Sequence, residues 1–172
     1  MQTRLENVLA SFYKDGMIEY LSSHPGDMEE AIRLALGDKQ PFSWRAAWLL
    51  WSCMAENDPL VRPYVSEMIR VLPAKMDGHQ RELLKILSMM DIPEELEGLL
   101  FDHCVKLWEG IQKRPSIRYT AFCTMLKLIK KYPDLAHEMA FYSQDFYLET
   151  LSPGIKNAIR RMIQENNLVA RK

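Results

Sequence analysis

Asp102, His103 and Cys104 stand side by side, and gathered in a pocket these three side chains would make a thiol nucleophile with its base and orienter. The sequence around them reads as one helix over 93–112. Adjacent residues of a helix point about 100° apart, so the three cannot converge on one another. His103 falls on the side of Leu96, Leu99, Leu100 and Leu107, the place of a satisfied, partly buried histidine. The other histidines, His24, His79 and His137, are scattered, with no H-E-x-x-H and no Cys/His pairs at zinc spacing. Cys53, Cys104 and Cys123 form no C-x-x-C pair and lie inside apolar runs, which predicts reduced, buried thiols in a cytoplasmic protein. The chain has no G-x-G-x-x-G, no phosphate loop ending Gly-Lys-Ser/Thr and no G-x-S-x-G. No catalytic residue, metal ligand or cofactor follows from these motifs. An enzyme or ligand-binding protein whose residues meet only in three dimensions stays open as one function class.

A different set of residues does recur. Basic side chains open four apolar helical runs: Trp44-Arg45-Ala46-Ala47-Trp48, Gln80-Arg81-Glu82-Leu83-Leu84, Ile117-Arg118-Tyr119-Thr120-Ala121 and Ile155-Lys156-Asn157-Ala158-Ile159. The intervals between the basic residues are 36, 37 and 38 positions. A period of that length marks stacked helical hairpins, in which no unit buries its apolar face alone.

The elements that must position these residues read as helices throughout. Pro41, Pro59, Pro93, Pro115, Pro133 and Pro153 stand at or near the beginnings of apolar-periodic segments, where the missing N–H costs nothing. Asp27, Asp58, Asp91 and Ser152 are candidate caps or turn residues. The spacing predicts a short N-terminal pair over 2–13 and 15–23. First and second helices then alternate: 27–37 with 41–56, 58–72 with 77–90, 93–112 with 115–131, and 133–151 with 153–166. The expected organisation is one domain over 1–172, with a cap at 1–24, repeats over 27–166 and a fraying tail at 167–172.

With 172 residues, 48% of them hydrophobic, and a mean hydropathy of −0.23, the chain can bury a core without disulfides or a structural metal. A net charge of −1 gives no global attraction to nucleic acid or an anionic membrane, so any preference must come from local patches. The N-terminus does not read as a secretory signal. The longest nearly apolar stretch, Ala46–Ala55, is half of what a membrane span needs.

An apolar residue, then Arg or Lys, then a small or apolar residue three later, opening the second helix of a hairpin, resembles the HEAT-type repeats of the HEAT/armadillo superfamily over roughly 27–166. The resemblance implies an all-α, right-handed alpha-alpha superhelix (an α-solenoid) of about four hairpins behind a helical cap. Such repeats commonly carry an aspartate six residues ahead of the basic residue. Here those positions hold Lys39, Lys75, Gln112 and Thr150, with Asp38 and Glu149 one residue away.

Helical faces narrow the search for a binding surface. In the second and fourth second-helices, Arg81, Lys85, Lys156 and Arg160 fall on polar faces. The third breaks that rule by placing Tyr119, Phe122, Met125, Leu126 and Ile129 beside Arg118. Either that helix is rotated or covered on both sides, or Tyr119, Phe122 and Leu126 form an apolar docking spot on an exposed face, with Tyr119 and Phe122 its anchors. Trp44, Trp48 and Trp51, at i, i+4 and i+7, read as core before they read as a ligand platform. Charge also sorts by helix: 115–131 carries bases and no acid, and 133–151 carries acids and no Lys or Arg.

The leading expectation is a non-enzymatic protein-interaction or scaffold module with a mildly basic surface suited to an acidic peptide. Its contact residues would be Arg81, Lys85, Arg118, Tyr119, Phe122, Lys156 and Arg160. The alternative is a nucleic-acid-binding protein, as the resemblance to HEAT-like proteins that act on alkylated DNA bases implies.

Overall fold

The computed structural model describes residues 1–168, and every regular element among them is helical. The expected fraying tail covers 167–172, of which 169–172 lie outside the described residues. The chain divides into two compact units, Met1–Leu96 and Glu97 onward.

The first unit begins with α1 (Arg4–Ser11), whose start follows from a capping box: the Thr3 hydroxyl accepts from Glu6 N–H, and the Glu6 carboxylate accepts from Thr3 N–H. Then come α2 (Lys14–Ser23), α3 (Met28–Leu36), α4 (Phe42–Cys53), α5 (Val65–Val71) and α6 (Asp77–Ser88). The central element is α4, which packs against α1, α2, α3 and α6. Its Ala46, Ala47, Leu49 and Leu50 are fully buried, and they meet a core that includes Leu5, Leu9, Ile32, Met68 and Leu83. The helix expected over 58–72 is shorter than its apolar pattern. Proline explains both ends. Pro63 sits in a 3₁₀ turn at Arg62–Tyr64, and Pro73, with no N–H to continue an α-helix, turns Leu72–Ala74 into another. At the far ends of α4 and α6, Asn57 adopts φ 51°, a conformation its short polar side chain tolerates. Its N–H donates to Met89 O at 2.7 Å and its side-chain amide to Asp91 at 2.5 Å, fastening the two helices side by side.

In the first unit the two positions six residues ahead of the basic motif turn out to be links between elements. Lys39 Nζ reaches back to Glu6 at 2.6 Å. Lys75, one repeat later and 8% exposed, donates to Leu36 O, Gly37 O and Asp38 at 2.8, 2.9 and 2.6 Å. It thereby satisfies carbonyls at the C-terminus of α3, where a cation is favoured. Where a HEAT-type repeat commonly carries aspartate, these two positions carry lysine and pair with acids earlier in the chain.

The second unit contains most of α7 (Glu94–Glu109), then α8 (Pro115–Ile129), α9 (Ala136–Tyr142), α10 (Asp145–Leu148) and α11 (Pro153–Glu165). Pro115 and Pro153 open α8 and α11 as the sequence predicts. The helix expected over 133–151 is in three pieces. A 3₁₀ turn at Pro133–Leu135 precedes α9, and Gln144 is extended at ψ 150°, so α10 starts afresh. The core centres on Trp108, fully buried, with its ring 4.8 Å from Phe122 and 6.1 Å from Tyr147. Lys131 and Tyr132 both donate to the buried Glu97 carboxylate, tying the end of α8 to α7. Burial alone would raise the Glu97 carboxyl, but those two donors outweigh it and hold it below its ordinary value.

Candidate functional site

In the first unit an open groove of about 830 Å³ runs between the α1–α2 junction, α4 and α6. Its floor is the tryptophan stripe. With the Ala46–Leu50 side of α4 spent on the core, Trp44, Trp48 and Trp51 stand on the remaining side: Trp44 is 37% exposed and the other two are half-buried. This corrects the expectation that the stripe is core. Helical spacing puts residues on one face, but α4 has more apolar faces than its neighbours cover.

Four cations line the same groove. Lys14 Nζ lies 5.4 Å above the Trp48 ring and Lys85 Nζ 4.2 Å above the Trp51 ring. Arg45 donates from Nη2 to Phe12 O at 2.9 Å, and among the described residues its Nε has no hydrogen-bond partner. Arg81 grips Glu82 with Nε at 2.8 Å and Nη2 at 2.5 Å. Glu82, fully buried, also accepts from Trp51 Nε1 at 2.5 Å and stands 3.4 Å from Lys85 Nζ. One carboxylate beneath the surface thus orients a tryptophan and two cations at once, a pre-set arrangement. Among the residues that line the groove none is acidic. At its rim Phe12 and Tyr13, in the extended junction between α1 and α2, are 48% and 92% exposed.

The predicted contact residues therefore fare differently. Arg81 and Lys85 are in the groove, together with Lys14 and Arg45, which the face-by-face reading did not select. Arg118 and Phe122 are fully buried and leave the list of surface contacts. Arg118 donates to Trp108 O at 2.9 Å, Thr150 Oγ1 at 2.8 Å and Tyr147 O at 2.6 Å, and its guanidinium lies 4.7 Å from the Trp108 ring centre. Thr150 is the motif-aligned position, so this bond is the second unit's counterpart of the lysine links. Burial pulls the Arg118 guanidinium below its usual value. Phe122 packs against Trp108, so the covered-on-both-sides alternative holds for it. Tyr119 is half-buried against Cys123, whose field, followed by burial, raises the phenol. Lys156 is half-buried near Glu149 O at 3.4 Å, and Arg160 is exposed, 3.6 Å from Asp145.

The Asp102-His103-Cys104 run stays dispersed: Asp102 is exposed while Cys104 is fully buried, and burial pushes its thiol far above the ordinary range. His79, 1% exposed, is held as a neutral ring. Its Nε2–H donates to Ala35 O at 2.7 Å and Gln40 Nε2 donates to its Nδ1 at 3.2 Å. Among the described residues no group of three or more His, Cys, Asp or Glu is placed to hold a metal ion, and no helix is long and apolar enough to cross a membrane.

A helical-repeat scaffold with an open lined groove is the class these features define. A family model described as a HEAT repeat domain matches residues 1–166, and the chain belongs to that family. Proteins built on these repeats commonly mediate protein interactions. No curated protein and no solved structure matches the chain.

Proposed function

We propose that this protein is a non-enzymatic interaction module of the cytoplasm whose first unit captures an acidic protein segment in the tryptophan groove. The observation that carries the reading is the pairing of Trp44, Trp48 and Trp51 with Lys14, Arg45, Arg81 and Lys85 around a groove whose lining has no acidic residue. Tryptophan and arginine are the residue types that dominate binding energy at interfaces, because they combine large contact area with directed charge. An extended segment carrying Asp or Glu between apolar side chains would set its carboxylates on the cations and its apolar groups on the indoles. In the second unit, taken by itself, the half-buried Lys156 and the exposed Arg160 are further candidate contact cations.

The groove's indoles, Trp48 and Trp51 meeting edge to face at 6.3 Å, also favour a second reading, a single nucleic-acid strand with its bases on the tryptophans and its phosphates on the cations. Titration of tryptophan fluorescence with an acidic, leucine-bearing peptide and with a short single strand separates the two. The acidic segment should bind saturably and weaken by about tenfold or more in Trp44→Ala and in Arg81→Ala. A protein that ignores the peptide yet binds the strand, with affinity falling steeply with salt, overturns the first reading in favour of the second. Indifference to both removes the groove from either role.

A further inference from the structure

The second unit has a surface of opposite character. Phe141 on α9 and Phe146 on α10 are 52% and 58% exposed, the large apolar residues that 133–151 leaves most open. They are not loose side chains. Phe141 meets Tyr142 at 5.2 Å and Tyr147 at 6.2 Å between ring centres, both edge to face, and Phe146 meets Tyr147 at 5.4 Å in the same manner. Tyr147 is buried, and behind it lies Trp108, whose Nε1–H donates to Tyr142 O at 2.9 Å. The two exposed phenylalanines are therefore the outer edge of an aromatic stack rooted in the core.

The helical segment that carries these rings is acidic. The segment 133–151 contributes Asp134, Glu138, Asp145 and Glu149, with His137 its one basic side chain. Glu138 stands three residues before Phe141 on α9, one helical turn away, and Asp145 adjoins Phe146 on α10; the Tyr142 phenol is raised by burial first and then by the fields of Glu109, Glu138 and Asp102 among others. Arg160, 3.6 Å from Asp145, is the cation seen to pair with one of the segment's carboxylates, and both partners of that pair are exposed. Lys106 lies between Asp102 and Glu109 in the sequence of α7. An aromatic face attracts a cation through its quadrupole, and carboxylates at its border strengthen that attraction and repel anions.

We propose that the Phe141–Phe146 shelf is a second docking surface and that it takes a basic protein segment, an arginine side chain lying over the exposed rings with its charge met by the bordering carboxylates. The proposal stands apart from the tryptophan groove and does not need it. Fluorescence anisotropy of labelled arginine-rich, lysine-rich and glutamate-rich peptides against the full chain at low ionic strength tests it. The arginine peptide should bind saturably and more tightly than the lysine peptide, and the glutamate peptide should not bind at this surface. Phe141→Ala and Phe146→Ala should each weaken the arginine peptide about 3- to 10-fold. Phe146→Leu, which keeps apolar bulk and removes the ring face, should weaken it nearly as much. Because both rings are at the edge of the stack, helical circular dichroism should stay at the wild-type level in all three variants, so a loss of affinity reports the surface and not unfolding. Two results overturn the proposal: no saturable binding of either basic peptide, or an arginine-peptide affinity that the Phe141→Ala/Phe146→Ala double variant leaves unchanged. Acidic-peptide binding, read in the same series, succeeds or fails through the groove alone.

Discussion

Arg81 in the first unit and Arg118 in the second occupy the same place in the repeat, 37 residues apart, and do opposite work. Arg81 sits on the wall of an open groove, held by the carboxylate of Glu82 next to it. Arg118 is sealed inside, spending its guanidinium on two main-chain carbonyls and a hydroxyl of other elements. The tryptophans diverge in parallel: Trp44, Trp48 and Trp51 line an accessible floor, whereas Trp108 is the centre of a core. A repeat register decides which way a side chain leaves its helix. What it meets there depends on the next elements: α10 closes over Arg118 and Trp108 in the second unit, whereas the Trp44–Trp51 stripe of α4 lines an open groove of the first.

Three measurements bear on this contrast. The largest effect should come from the tryptophans. Trp108→Ala should lower unfolding free energy by about 3–5 kcal/mol, as removal of a fully buried aromatic does, while Trp44→Ala should lower it by less than about 1 kcal/mol. Equal losses in denaturant titration would erase the distinction between floor and core. Next come the arginines. Arg118→Ala should cost about 2–3 kcal/mol because buried carbonyls of Trp108 and Tyr147 lose a charged donor, and Arg81→Ala less, since Glu82 keeps Trp51 Nε1–H and Lys85 as partners. An Arg118→Ala protein as stable as wild type would show that those bonds hold nothing together.

The smallest effect concerns pH and separates the units by their ionisable groups. In the first unit burial holds the His79 imidazolium below the ordinary histidine value, against the opposing pull of Ala35 O. Its unfolded counterpart takes up a proton near pH 6.5, so the stability owed to the neutral ring is complete above that pH and is lost as pH falls toward the depressed folded value. In the second unit the lowered Glu97 acts in a more acid window, with its contribution present above about pH 4.5 and lost below it. Melting temperature followed from about pH 8 to pH 5 should decline in wild type and decline less in His79→Gln. Parallel curves for the two proteins would remove His79 as the cause.

The helices and their pairing were legible in the chain because proline positions and apolar periodicity are local signals. Pro115 and Pro153 open α8 and α11 where expected, and the four hairpins follow the predicted order. Local signals also failed in local ways: Pro63 and Pro73 shortened α5, and the break at Gln144 divided the helix expected over 133–151. The groove was half legible. Arg81 and Lys85 stood out on a polar face, yet the tryptophans beside them looked like core, because an apolar stripe at helical spacing carries no mark of whether another helix covers it. Surplus was the available signal: α4 has the Ala46–Leu50 side and the Trp44–Trp51 stripe, more apolar surface than one packing face can use.

By itself the order of residues determined that this protein is a run of antiparallel helical hairpins, since a recurring basic-apolar pattern cannot bury its faces in any simpler way. It also set where Lys39, Lys75 and Thr150 would stand in each repeat. Only the tertiary structure decided that these positions bind one hairpin to the one before or after it, that Glu82 is buried and orients three groove residues, and that Arg118 and Phe122 belong to the interior. The reason is one of range. Helix formation depends on neighbours three or four residues away, whereas exposure and the links between helices depend on partners some thirty residues distant, and nothing in a local pattern specifies them.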